Sequence, residues 1–401
     1  MRIAFNDIDN FGWTAGAHYY TNLFRALHDL PADRRPEIVV ADREGGAIGG
    51  YDTYRALADA VIELPQEHGP RFVGRQVERV KRRFGAPPPR PVAEHALVEH
   101  GVDVVFACWR HFGPDFAVPS LGWIPDFQHE HHGDLFPPEE LEHRNRLFAQ
   151  MAANCTRIVL SSDDARRDFE RFHPQFAHKG RVLRFVAQVP AGIFDDDPAA
   201  VCAEYHLPER FVYLPNQFWV HKNHDVVLEA LALLASTRPE ITVVCTGNTA
   251  DDRDPLHFGQ LLAKVSRLGV RDTFVVLGWV PHAHTFRLLR QSLAVMQPSR
   301  FEGWSTTVEE AKSIGKAIVC SDLAIHREQD PPQAWYFDPA DPADLAARLV
   351  EVYDTRTAGP DRDLEAAARA ALPQRTREYA ESFLAIAADA VADPGAPAVG
   401  R

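Results

Sequence analysis

The sequence predicts an α/β protein built from two parallel-sheet halves. Short apolar runs that suit buried strands alternate with helical patterns along nearly the whole chain. The rhythm starts at Ile3 to Ile8 and starts afresh at RFVYLP, near residue 210. Between the two halves, Pro190, Gly192, Pro198 and Pro208 gather around the acidic run Asp195 to Asp197, the composition of a linker.

The first half opens with the strand Ile3 to Ile8, then a helix over HYYTNLFRALHDL and a strand over EIVVAD. VDVVFAC and SLGWIP are further apolar runs, and TRIVLSS and GRVLRFV close this half. In the second half RFVYLP leads into a helix over KNHDVVLEALALLAST. ITVVCTG, a helix near Leu256 to Leu268, TFVVLGWV, another helix and LAVMQPS follow. Ligands of such sheets bind beyond the carboxyl ends of the strands.

The densest chemistry lies in PSRFEGWSTTVEEAKSIGKAIVCSDLAIHRE, from Pro298 to Glu328. Ser305, Thr306 or Thr307 can cap a helix whose formers run from Val308 to Ile314. Gly315 ends it, and AIVCSD reads as a buried strand. The helix N-terminus leaves backbone N–H groups free for a phosphate. Glu302 stands before the helix and Glu310 within its first turns, so a phosphate site is flanked by two carboxylates that can accept hydroxyls. A nucleotide sugar needs that combination.

Composition narrows the function. A net charge of -13 argues against a general nucleic-acid role. Cys108, Cys155, Cys202, Cys245 and Cys320 are dispersed without C-x-x-C spacing, which suits a reducing compartment and no cysteine metal site. RIAFNDI reads as a strand rather than a signal peptide, and no apolar run reaches the roughly 20 residues of a membrane span. A cytoplasmic location is expected. One segment opposes the acidic balance: RFVGRQVERVKRRF carries Arg71, Arg75, Arg79, Lys81, Arg82 and Arg83 with apolar residues near helical spacing. It suits peripheral contact with an anionic membrane or an acidic acceptor, or a solvated helix packed by one face.

Several ordered motifs together resemble the retaining glycosyltransferases of family GT4, which have the GT-B fold: two Rossmann-like parallel-sheet domains facing each other across a cleft. The Glu302 to Glu310 spacing matches the family's E-x7-E signature. FVYLPNQFWVHKNHDVVLEALALL, VVCTG, TFVVLGWVP and VMQPSRFEGW fall in the family's order, and WIPDFQHEHH and RIVLSSDDARRDF resemble the acceptor half of a bacterial branch. The resemblance implies an acceptor-binding domain over 1–190 and a donor-binding domain over 191–373. It also implies a helix at about 374–392 that crosses back to the first domain, before a tail at 393–401.

The resemblance also assigns residues. Glu310 would bind the donor ribose and Glu302 the transferred sugar, with the backbone of Gly303, Trp304, Ser305 and Thr306 meeting sugar and phosphates. Lys222 matches the lysine on the donor pyrophosphate. The family's arginine five residues earlier is Gln217 here, beside Asn216, so less positive charge is available. Gly247 matches a glycine near the donor, and Val280 and Pro281 match the region that reads the nucleobase. Gly12 and Gly16 follow the first strand, as the family's phosphate-approaching loop does. Where the family carries a histidine before an aspartate, Pro125 precedes Asp126, so the catalytic role passes to Asp126 or His129, or is absent. His129, Glu130 and His131 have a spacing that a metal on a strand can use, but the family needs no metal and no cofactor beyond the nucleoside diphosphate sugar. Asp7-Ile8-Asp9 is formally a D-x-D, expected to be chance in so acidic a chain.

The expected activity is transfer of a sugar, with retention, from a nucleoside diphosphate sugar to a hydroxyl of a glycan, lipid-linked or small-molecule acceptor. A nucleotide-sugar epimerase or hydrolase on the same fold, or a non-catalytic sugar-nucleotide binder, are the alternatives. Consumption of donor without acceptor, or binding without turnover, would reveal them.

Overall fold

The computed structural model describes residues 1–8, 14–43, 54–64, 92–114, 116–251 and 253–393. Gly12 and the basic stretch from Arg71 to Arg83 lie outside the described residues. Two parallel sheets organise the chain. The first holds β1 (Arg2–Asn6), β2 (Glu37–Arg43), β3 (Ala60–Leu64), β4 (Val104–Cys108), β5 (Ser120–Ile124), β6 (Arg157–Leu160) and β7 (Gly180–Val182), in the order β3-β2-β1-β4-β5-β6-β7. The second holds β8 (Val212–Pro215), β9 (Val243–Thr246), β10 (Phe274–Gly278), β11 (Val295–Gln297), β12 (Ile318–Ser321) and β13 (Ala334–Phe337), in the order β10-β9-β8-β11-β12-β13. Strands such as VVFAC and SLGWI are buried at every position, because helices cover both faces of a parallel sheet.

Both sheets reverse direction in the same way. The chain runs from β1 outward to β3, then returns to place β4 beside β1, Ile3 facing Val104. It runs from β8 outward to β10, then returns to place β11 beside β8. The two resulting switch points, β1/β4 and β8/β11, are where a sheet of this kind opens a crevice at its carboxyl edge.

The last helix is longer than the sequence reading expected. It spans Arg362–Val391, and Asp361 caps it by accepting from Leu364 N at 3.1 Å. Pro373 lies inside it. Proline removes one helical hydrogen bond, which is why the pattern reads as a start rather than an interior. The early part of this helix packs beside Gly315, and its later part enters the first sheet's core. Tyr379, Phe383 and Ile386 sit with Phe5, Phe24 and Phe106 there, the rings of Phe5 and Phe383 stacked at 5.7 Å. The helix thus ties the two sheets together.

Other contacts join the domains directly. Glu328, on the helix Ala324–Gln329, accepts from Asp163 N at 2.9 Å and pairs with Arg184 at 2.9 Å. A carboxylate there complements the N-terminus of the helix Asp163–Phe172. Trp304 Nε1 donates to Phe185 O at 3.0 Å. Among the described residues no helix is long and apolar enough to cross a membrane.

Candidate active site

The β8/β11 switch point gathers most of the residues singled out above. After β8 the chain passes Asn216 and Gln217 into a short 3-10 turn, Val220–Lys222. Asn223 follows with a left-handed backbone, and its amide donates to Pro298 O at 3.0 Å and Pro339 O at 2.9 Å. That side chain pins the loops after β8, β11 and β13 to one another. Lys222 Nζ is thereby placed 2.6 Å from Glu302 Oε1. Both side chains are mostly buried, at 14% and 9% exposure.

Behind this pair runs a continuous polar chain. Gln297 Nε2, at the end of β11, donates to Glu302 Oε1 at 2.9 Å and to Ser305 Oγ at 2.6 Å. Asn216 donates to Gln297 Oε1, and Thr307 Oγ1 donates to Asn216 Oδ1 at 3.3 Å. A buried network satisfied in this way holds its members in one arrangement. Asn216, expected on the donor, instead stands behind the site as a support. Gln217 Oε1 accepts from Asn248 N at 2.6 Å, which leaves its amide NH2 as the group able to donate.

Ser305 caps the helix Thr306–Ile314, its Oγ accepting from Val308 N at 3.4 Å. Its own N–H is held by Gln329 Oε1 at 3.2 Å, so the N–H groups of Thr306 and Thr307 are the ones a phosphate would take. Glu309 turns inward to Arg375 and Gln329. Glu310 turns to the cleft, 3.8 Å from His282 Nε2. The His282 ring lies 4.8 Å from that of His18, which comes from the first domain. Burial, then His282, lowers the pKa of His18, and Glu310 opposes that. Neither histidine belongs to a motif in the sequence: His18 is the lone imidazole of its helix face and His282 stands two residues from His284.

Gly247 has φ +143, and a Cβ there would meet the backbone of Asn216 and stand 2.9 Å from Gln217 N. Glycine is what lets the loops after β8 and β9 touch. Val280 is buried with Phe286, and Pro281 starts the helix His282–Gln291 at the rim. Gly16 is buried inside the helix Thr14–His28 rather than in a loop, because that helix starts two residues earlier. Asp7 is engaged by Tyr54 and by Arg55 at 2.7 Å, so its carboxylate is not presented to a metal.

The opposite wall is the end of β5. Gly303 packs against Pro125 and Asp126: a Cβ on it would stand 2.7 Å from Asp126 Cβ. Burial raises the Asp126 pKa; the Gln128 amide and Arg144 oppose the shift, and Glu302 adds to it. Its Oδ1 accepts from Gln128 N at 2.9 Å. His129 is a correction. The segment forms a helix, Gln128–His131, and turns His129 inward, where its side chain is 1% exposed against Phe148 at 5.1 Å. Burial lowers its pKa, and the ring packs in the first domain's core against Phe127 and Phe148. His131 pairs instead with Asp168 at 2.7 Å, so the run does not converge on a metal.

Two parallel-sheet domains of seven and six strands, with a polar site at the second switch point, have the GT-B architecture. The sequence model of the family described as "Glycosyl transferases group 1" matches residues 206–371, most of the second domain. The chain is thus a glycosyltransferase, a protein that moves a sugar from a nucleotide sugar. Similar solved structures include Anabaena HepE in complex with UDP and glucose, at 16% identity and TM-score 0.68, covering 96% of this chain and 99% of that one. The sucrose-phosphate synthase of Thermosynechococcus elongatus is similar at 15% identity and TM-score 0.62, covering 97% of each chain. An Escherichia coli structure described as trehalose-6-phosphate bound with UDP-2-fluoro glucose is similar at 11% identity and TM-score 0.62, covering 98% of this chain and 99% of that one. No curated protein matches the sequence.

Proposed function

We propose that the transfer runs from a uridine diphosphate sugar to an acceptor hydroxyl, with retention of anomeric configuration and without a metal. The observation that carries this reading is the Lys222–Glu302 pair at the β8/β11 switch point, beside a helix N-terminus capped by Ser305. Lys222 and the N–H groups of Thr306 and Thr307 would hold the diphosphate as negative charge grows on it. Glu310 would accept from the ribose hydroxyls and Glu302 from a hydroxyl of the transferred sugar. The choice of uridine follows the UDP and UDP-glucose held by Anabaena HepE.

In the step itself the bond from the anomeric carbon to the diphosphate breaks and one to the acceptor oxygen forms on the same face. The acceptor proton passes to the departing diphosphate oxygen. Asp126, across the cleft from Lys222 and Glu302, would orient the acceptor hydroxyl. The protein's contribution is placement and charge rather than a covalent intermediate.

The test is a panel of nucleotide sugars in calorimetry, followed by turnover with acceptor and NMR of the product. A UDP-sugar should bind, and the product should keep the donor's configuration in the presence of EDTA. An inverted product or loss of turnover on chelation would remove that part of the proposal. Donor consumed without acceptor would mark a hydrolase or epimerase instead.

A further inference from the structure

A cavity of about 300 Å³ lies between the domains, and none of the site residues described above lines it. Its first-domain wall includes Asp134 and Phe136, and its second-domain wall includes Val220, Asp251, Arg253 and Asp254. That volume is at the low end for pockets that hold a small molecule. We propose that this cavity is the acceptor subsite and that it takes an uncharged sugar rather than a sugar phosphate. The proposal rests on the glycosyltransferase reading above and adds the acceptor's chemical class.

Position is the first argument. Val220 opens the turn that carries Lys222, and Asp134 follows Asp126 on the loop run after β5. The cavity is thus lined by the same two connecting segments that carry Lys222 and Asp126.

Its walls are built to be rigid. Arg144 lies over the Trp109 ring at 4.8 Å and over Phe136 at 4.7 Å. Arg253 lies over Phe136 at 5.4 Å and over Trp219 at 5.1 Å. Rings and guanidinium groups thus alternate from the first domain into the second, each contact favourable by cation–π attraction. Trp109 follows β4, at the other switch point, with φ 49, a backbone that a bulky residue seldom adopts. Arg253 Nη1 also donates to Gln128 Oε1 at 3.3 Å, across the domains.

Charge decides the ligand class. Among the described lining residues the cation is Arg253, and Asp251 holds it at 3.0 and 3.2 Å. Arg144 is likewise held by Glu140, at 2.6 and 2.9 Å. A phosphate entering here would meet the carboxylates of Asp134 and Asp254, the latter accepting from Leu256 N at 3.2 Å, with the Arg253 guanidinium already engaged. Sugar hydroxyls, in contrast, are the donors that carboxylates accept well.

The experiment uses the full chain and the UDP-sugar that calorimetry selects. Methyl hexosides and hexose 6-phosphates are compared as acceptors, with the parent, Asp134→Asn and Asp254→Asn. The methyl hexoside should give at least a tenfold higher kcat/KM than its phosphate. Each substitution should raise acceptor KM about fivefold and leave donor Kd unchanged, and Asp134→Lys should narrow the preference. Equal or better use of the phosphate, turnover of neither class, or an acceptor KM unmoved by both Asn variants overturns the proposal. Failure of any nucleotide sugar to bind would instead strike the functional reading beneath it.

Discussion

The substitution Gly303→Ala tests whether the two walls must meet for the chemistry. Gly303 sits between Glu302 and Trp304, and its φ lies outside the left-handed region, so alanine adopts its backbone without strain. The added Cβ, however, would stand 2.7 Å from Asp126 Cβ and nearer still to the Pro125 carbonyl oxygen. Real Cβ contacts essentially never fall under 3.0 Å, and ordinary contact begins at 3.4 Å. The obstructing atoms are backbone or next to it, so no side-chain rotation relieves the overlap. The walls must part by about 1 Å, and a displacement of that size can lower a rate by about 10²-fold. It would also stretch the 3.0 Å bond from Trp304 to Phe185 past bonding distance. The expected result is a kcat lowered about 100-fold, equivalent to ~2.7 kcal/mol of transition-state stabilisation. Calorimetry with UDP should show a Kd changed by less than about threefold, because the groups proposed for the diphosphate sit on one domain. A kcat within twofold of the parent would refute the premise that catalysis requires this approach.

Lys222→Ala should lower kcat by about 10²–10³-fold, as for other removed oxyanion partners, and Lys222→Arg should restore part of it; unchanged turnover in steady-state assays would reject the role. Glu310→Ala should weaken nucleoside diphosphate binding by roughly 1.5–3 kcal/mol, the worth of hydrogen bonds to a charged group, and calorimetry reads it directly. The fold should survive, since Glu310 faces the cleft while Glu309 carries the structural contacts. His224 supplies a pH test. It is fully buried against Phe218 at 4.4 Å, with both ring nitrogens unpartnered, and burial lowers its pKa to about 3. The unfolded chain protonates it first, so its penalty is absent above about pH 6.5 and grows as pH falls toward 3. Between pH 7 and pH 5 this one group should cost ~2 kcal/mol of stability, read from urea midpoints, and His224→Phe should reduce the slope.

Strands such as VVFAC and VVCT are legible in the sequence because both faces are buried, leaving unbroken apolar runs. AVIEL and AWYF became β3 and β13 without being picked out, since each is short and half-exposed. The helix Pro138–Asn154 went unread for a related reason: it buries only Phe148, Met151 and Ala152, and its charges hide the apolar stripe. At the site, Lys222 and Glu302 stood out through motif and spacing, but Gln297 did not, because a glutamine ending a buried strand has no pattern of its own. His129 was misplaced by a change of period. On a strand its side chain would alternate with Glu130 toward the cleft, whereas one turn of helix carries it onto Phe148. The meeting of Gly303 with Pro125 and Asp126 joins distant segments, and nothing local in either announces the other.

The polar chain behind the site bears on the proposed role of Lys222 on a diphosphate, since that lysine is paired with a carboxylate. If Lys222 and Glu302 had only each other, moving the lysine onto a phosphate would strand a mostly buried carboxylate, at a cost of several kcal/mol. Gln297 prevents that. Its Nε2 bonds the same Oε1 that Lys222 holds, and it is itself fixed by Ser305 and Asn216. When the lysine shifts, Glu302 keeps a donor and its position, and is left with accepting capacity for a sugar hydroxyl. The pair is therefore a site with its charges already opposed and its carboxylate already braced. Because Ser305 both caps the helix Thr306–Ile314 and accepts from Gln297, the same network fixes that helix N-terminus relative to Glu302.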